Sequence, residues 1–180
     1  QVAHLRKQVG SLTRIGNSLL LALLAEQRHA QTVQGDGIRV VVTHFLKRGQ
    51  YLAIDVLGFT LAYTLGGFNI GVTDYWFSAM PAGGDPDGRY FKYDAHATNH
   101  VFEGNIGYDF GFASFQWYTN FAGNDYKEDG KRAYSSYMEV VVPFKLSAIE
   151  WTATAGAVPS ASPQYGTNGF AVTNVALKAT

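Results

Sequence analysis

The chain contains no cysteine, which excludes a disulfide framework and a thiolate metal site. Neither sign of charge is in excess: Lys plus Arg and Asp plus Glu both total 14, so net charge draws the chain neither to nucleic acid nor to an acidic membrane surface. No apolar run approaches the roughly 20 residues of a membrane-spanning helix. A protein of this composition enters a membrane only as a closed barrel, because every backbone polar group in hydrocarbon must be paired. The chemistry-bearing motifs are missing too. There is no G-x-S-x-G elbow, no phosphate-binding G-x-x-x-x-G-K-[ST] and no H-E-x-x-H, and Gly35-Asp36-Gly37 lacks the third glycine of a dinucleotide loop. The Ser and His pairing that a membrane lipase requires has no place in the sequence. The expectation is a protein without catalysis and without a cofactor.

What the chain does contain is 47% apolar residues in 180, enough for one domain with a sizeable buried surface. Twelve Phe, eleven Tyr and twenty Gly suit strands bounded by tight turns better than helices. Residues 1–30 have the order of an export signal: Arg6, Lys7 and Arg14, then an apolar run from Leu19 to Ala25, then a polar stretch with a cut after Ala30. The alternative is a helix from about Ser11 to Arg28 whose leucines pack on the following domain, residues 31–180.

Period-two alternation dominates that domain. Phe102, Gly104, Ile106, Tyr108 and Phe110 share one face, with Glu103, Asn105, Gly107 and Asp109 opposite. Phe115, Trp117, Thr119 and Phe121 continue it after a Gly111 turn, opposed by Gln116, Tyr118 and Asn120. Phe59, Leu61 and Tyr63 lead through Gly66-Gly67 into Phe68, Ile70 and Val72, and Asn69, Gly71 and Thr73 take the other face. Met138, Val140 and Val142, opposed by Tyr137, Glu139 and Val141, lead through a turn from Pro143 to Ser147 into Ile149, Trp151 and Ala153, opposed by Glu150 and Thr152. With a first strand from Ile38 to Leu46 and a last from Gly169 to Lys178, the count is eight. The predicted fold is an all-β, up-and-down antiparallel transmembrane barrel.

Connection lengths separate the two ends. Tight turns at Gly66-Gly67, Gly111 and Pro143 alternate with long loops over 78–98, 123–132 and 158–168. Outer-membrane barrels sort loops in this way, whereas soluble sandwiches have no reason to. The polar face carries Glu103, Asn105, Gln116, Asn120, Glu139 and Glu150 and almost no lysine, which suits an enclosed, hydrogen-bonded lumen better than a water-exposed surface. The three glutamates predict either a cation-preferring interior or a hydrogen-bonded plug, since eight strands enclose a space just wide enough for side chains. Tyr63, Tyr75, Trp76, Tyr108, Phe110 and Phe121 lie near strand ends and form a candidate aromatic girdle. Alternation leaves a second fold reading open, a soluble lipocalin-like barrel with the apolar face inward around a small apolar ligand.

Three stretches carry a resemblance: Gly67 to Phe77 (GFNIGVTDYWF), Thr98 to Gly111 (TNHVFEGNIGYDFG) and Trp117 to Asp125 (WYTNFAGND). With Lys131 to Tyr137 and Gly169 to Lys178, the chain resembles bacterial outer-membrane porin-like β-barrel proteins of a largely uncharacterised family, over about Phe59 to Thr180. The resemblance implies an outer-membrane address, contact with outer-membrane lipids and barrel-insertion machinery, and passage of small solutes or a structural role in the envelope. It brings no catalytic residues. Against the family's pattern, Asp36 to Val56 matches poorly, and the chain stops at Thr180 where a terminal aromatic residue is usual, as an incomplete barrel would.

Three further clusters invite a metal. His96 and His100 are four apart but fall at a loop-to-strand junction, where that spacing does not converge on one ion. Asp85-Pro86-Asp87-Gly88 and the group Asp125, Glu128 and Asp129 lack the ligand series of a calcium loop, and turn chemistry accounts for them.

Overall fold

The computed structural model describes residues 36–48, 53–80 and 84–179. The expected leader or N-terminal helix lies outside these residues. Eight strands follow one another along the chain: β1 (Gly37–Arg48), β2 (Ala53–Leu65), β3 (Phe68–Phe77), β4 (His100–Asp109), β5 (Ser114–Gly123), β6 (Ser136–Leu146), β7 (Ile149–Val158) and β8 (Ala171–Ala179). They form one antiparallel sheet in chain order, each strand beside the next. Among the described residues no helix is long and apolar enough to cross a membrane.

The turns follow local chemistry. Gly66 and Gly67 have φ of 55° and 87°, the pair of positive values a two-residue type I′ hairpin demands. Asp36 Oδ1 accepts the Gly66 N–H at 2.9 Å and ties the start of β1 to this turn. At the next tight turn Asp109 Oδ1 accepts the Gly111 N–H at 2.8 Å, an Asx-type closure.

Two boundaries differ from the sequence reading. The turn expected from Pro143 lies further on: β6 continues to Leu146, and Ser147, with φ of 58°, makes the reversal. Pro143 pairs only with Thr152 of β7, because the ladder to β5 ends at Val141. It therefore has an edge-like position, where a missing N–H is tolerated. Lys47 and Arg48 belong to β1, and Asp36 to Val56 supplies β1 and the opening of β2, paired continuously from Gly37↔Thr64 to Arg48↔Ala53.

The expected closed barrel is an open sheet here. β1 and β8 are its two edges, and among the described residues no pairing joins them. The physical reason this was not legible is that alternation fixes which face a side chain takes, whereas closure depends on pairing between the first and last strands, which no local pattern encodes.

Even so, the two faces differ sharply. Glu103, Asn120 and Glu139 are 3–4% exposed, while Leu61, Ile70 and Val140 on the other face are 51%, 45% and 41% exposed. With a single sheet and no second layer of helices or strands among the described residues, burial of one face requires the sheet to coil around it. The inner face has an aromatic cluster near the long-loop rim, where Tyr75, Phe77, Tyr118, Tyr137 and Tyr165 pack with Val56, Val101 and Val158. Polar side chains, Thr60, Thr73, Glu103, Asn120, Glu139 and Thr154, occupy much of the rest.

Candidate functional site

Alternation along β4 to β7 delivers the predicted lumen residues to the inner face. Glu103 and Asn120 are registered opposite each other, as are Gln116 and Glu139. Asn105 faces Gly71 across the β3–β4 ladder and Gln116 faces Gly107 across β4–β5. In both pairs the glycine leaves room that its neighbour's amide fills, since a methyl group at either position would collide with that side chain. Glu150 falls on the same face by periodicity but is exposed, near the Ser147 turn and registered with Lys145.

The two buried glutamates are held by hydroxyls. The Tyr137 hydroxyl donates to Glu139 Oε2 at 2.7 Å, and Asn174 Nδ2 donates to the same oxygen at 3.4 Å. The Tyr75 hydroxyl donates to Glu103 Oε1 at 3.3 Å. Thr60 and Thr73 share a hydroxyl bond of 2.9 Å between β2 and β3. Hydrogen bonds of this kind, made in an enclosed space, fix side-chain positions because each is costly to leave unmade. Three bases that alternation puts on this face, Arg39, Lys145 and Lys178, lie toward the short-turn rim, where Glu150 is registered with Lys145.

Of the six girdle candidates, Tyr63, Trp76, Tyr108, Phe110 and Phe121 lie on the outer face or at its rims. Tyr75 does not: it is buried on the inner face against Glu103. Adjacent strand residues point oppositely, so Tyr75 and Trp76 cannot both belong to one belt.

At the long-loop rim the connections are anchored by buried polar groups. Asn99 clamps Asp85 from both sides, its Oδ1 accepting the Asp85 N–H at 2.7 Å and its Nδ2 donating to the Asp85 carbonyl at 3.1 Å. The Asp85 carboxylate accepts from Arg89 Nε at 2.9 Å, Arg89 Nη2 at 3.1 Å and Lys92 Nζ at 3.3 Å. The Arg89 side chain holds this carboxyl well below the usual range, against the opposing effect of burial. Asp125 is a second anchor, accepting from Ser135 N at 2.9 Å and Ser135 Oγ at 2.6 Å. Here burial dominates and pushes the carboxyl up, despite the Ser135 bonds. Asp85 and Asp125 thus act in turns and loop anchoring.

His96 and His100 diverge. His100 is fully buried, Nδ1 lying 2.8 Å from Asp74 Oδ1 and Nε2 against the Tyr90 carbonyl, so only the doubly protonated ring donates to both. Tyr93 stacks on it at 4.4 Å between centroids. His96 is exposed and stacks on Tyr126 instead. Among the described residues no group of three or more metal-type ligands gathers.

Sequence reasoning missed the Asp125–Ser135–Ser162 chain, in which Ser162 Oγ donates to Ser135 Oγ at 2.7 Å, and the burial of Tyr165. Serines scattered through loops carry no periodic signal, and only the loop-like composition around them was visible. No known protein family, no curated protein and no solved structure matches this chain.

Proposed function

We propose that this chain is an outer-membrane β-barrel protein of porin-like type, serving passive solute passage or a structural role in the envelope, without catalysis. One observation carries the reading: the sheet buries its polar face and exposes its apolar face. A water-soluble domain gains stability by the opposite arrangement, at about 1.5–3 kcal/mol for each fully buried Val, Leu, Ile or Phe. Surrounding lipid recovers that gain for Leu61, Ile70, Val72, Ile106, Val140 and their outer-face neighbours, while hydrogen bonds hold Glu103, Glu139, Thr60 and Thr73 on the inner side. Strands of 9 to 13 residues agree with the roughly 9–11 that cross a bilayer at a tilt. Tyr63, Tyr108 and Phe110 near the short turns, and Trp76 and Phe121 near the long loops, suit the two interfacial belts.

In hydrocarbon an unpaired edge leaves each N–H and C=O unsatisfied at several kcal/mol. In the working protein the β1 and β8 edges are therefore joined, to one another or through further strands. Its partners are outer-membrane lipids, the insertion machinery and small solutes. A lipocalin-like ligand carrier needs a mainly apolar interior, whereas Thr60, Thr73, Glu103, Asn120, Glu139 and Thr154 are buried beside the aromatic cluster here.

Expression with the leader in a Gram-negative host, followed by fractionation and gel migration with and without heating, tests the proposal. Recovery in the outer membrane with a heat-dependent shift is expected. A folded protein in the soluble fraction would overturn it.

A further inference from the structure

We infer that the second half of the β3–β4 connection, residues 89–97, is a pH-released flap, fastened over the outer face of the sheet by the Asp74–His100 pair and freed as His100 loses its proton. The flap is independent of the membrane reading, since every contact that fastens it lies within this chain. Alternation puts both members of the pair on the mostly apolar outer face. Asp74 is registered with Phe102 and Trp76 with His100, so Asp74 and His100 are diagonal neighbours across β3 and β4. The connection folds over them and buries His100 completely. Nδ1 lies 2.8 and 3.0 Å from the two Asp74 carboxylate oxygens, and Nε2 lies against the Tyr90 carbonyl. Both partners accept only, so both ring nitrogens carry hydrogen and the fastened ring is a cation. Aromatic rings close the remaining sides: Tyr93 stacks on His100 at 4.4 Å between centroids, and Tyr90 meets it edge-on at 5.1 Å.

The two halves of the connection are held differently. Asn99 clamps the Asp85 backbone from both sides. The flap is held by His100 at the Tyr90 carbonyl, by the Thr98 hydroxyl, which donates to the Lys92 carbonyl at 2.6 Å, and by Arg89 and Lys92 reaching back to the Asp85 carboxylate. A neutral His100 keeps a single N–H. Whichever acceptor it serves, the other then faces a ring lone pair in a buried site, and such an unmade bond is costly. Loss of the cation also leaves the Asp74 carboxylate without its counter-charge. Lifting the flap returns these groups to water and uncovers Trp76 and Phe102, whose rings lie 5.6 Å from Tyr90 and 6.4 Å from Tyr93. Facing the His100 ring are Asp74 from β3 and Tyr90 and Tyr93 from the connection, with Phe102 on its own strand. From the end of β5 the contact is backbone, the Asn124 N–H donating to the His100 carbonyl at 2.7 Å. Burial, with Asp74 nearby, pushes the Tyr93 phenol up, so Tyr93 stays neutral while His100 titrates. The sign follows: fastening is complete where even a free histidine is cationic, below about 6.5, and is lost as pH rises through the value of the fastened ring.

The test is limited trypsin digestion of the full chain, folded in detergent micelles or, if fractionation finds it soluble, in buffer. Cleavage after Arg89 and Lys92 is followed from about pH 6 to about pH 9, relative to cleavage after Lys131 in the neighbouring connection, whose side chain is 82% exposed. This ratio should rise roughly tenfold across the range, the effect of one buried hydrogen bond lost. His100→Gln has no titrating ring and should abolish the rise, while His96→Gln, at the other histidine of this connection, should keep it. If His100→Gln does not fold, Asp74→Asn decides: without the anion the rise should move to lower pH, and a curve identical to the wild type would overturn the flap. So would a flat wild-type ratio, or a rise that survives His100→Gln unchanged. None of these outcomes bears on the membrane reading, which fractionation tests separately.

Discussion

Gly156 shows how closely the inner face is fitted. A methyl group there would overlap the Tyr137 hydroxyl, the same group that donates to Glu139. Gly156→Ala should therefore destabilise the fold by about 1–3 kcal/mol through overpacking, read as a lower denaturant midpoint for the heat shift. Gly107→Ala meets only the flexible end of Gln116 and should cost clearly less in the same assay. At this scale the sequence is legible where parity decides: Glu103, Asn105, Gln116, Asn120 and Glu139 share one face of the sheet. It is illegible where nearness to a strand end stands in for membership of a belt: Tyr75 and Trp76 are neighbours in the sequence, but the pleat sends them to opposite faces.

Elements were legible in proportion to the local chemistry that marks them. Gly66-Gly67 identified its hairpin because positive φ at both positions is a glycine property. Pro143 misled because its usual role as a turn former has an exception where a strand outruns its neighbour. The long loops were visible as loops, but their anchors join residues such as Asp85 and Asn99 that no spacing rule connects. The Asp85 anchor has a pH dependence of definite sign. Its carboxyl titrates below the ordinary 3.8 in the folded chain, so its contribution to loop order is complete above that value and is lost as pH falls below it. Trp76, whose ring lies 5.6 Å from Tyr90 of this loop, reports the change. Its fluorescence should be flat from neutral pH down to about 4 and shift only below, while Asp85→Asn should show the shifted signal already at pH 7. Asp125, whose carboxyl is raised by burial, works the other way: protonating it as pH falls through its folded value favours the folded chain, so it adds nothing to acid sensitivity.

For the whole molecule, strand number, order and polarity of faces followed from alternation and turns, whereas the open edges did not, because pairing between β1 and β8 is a relation between the ends of the domain. The register refines the expectation for the glutamates. Replacing Glu103, Glu139 and Glu150 together by Gln should lower the potassium-over-chloride permeability ratio in bilayers, and an unchanged ratio would show that these carboxylates serve packing alone. Glu150 should contribute least by itself, being exposed and registered with Lys145.

The ladders between neighbouring strands are not equal in length. β1 and β2 share a continuous run from Gly37 to Arg48, but β5 and β6 meet only from Ser114 to Thr119 against Ser136 to Val141. Mechanically the sheet thus has a seam. Under tension across the wall it should part between β5 and β6, leaving β1–β5 and β6–β8 as two intact panels hinged on the connection that carries Asp125 and Ser135.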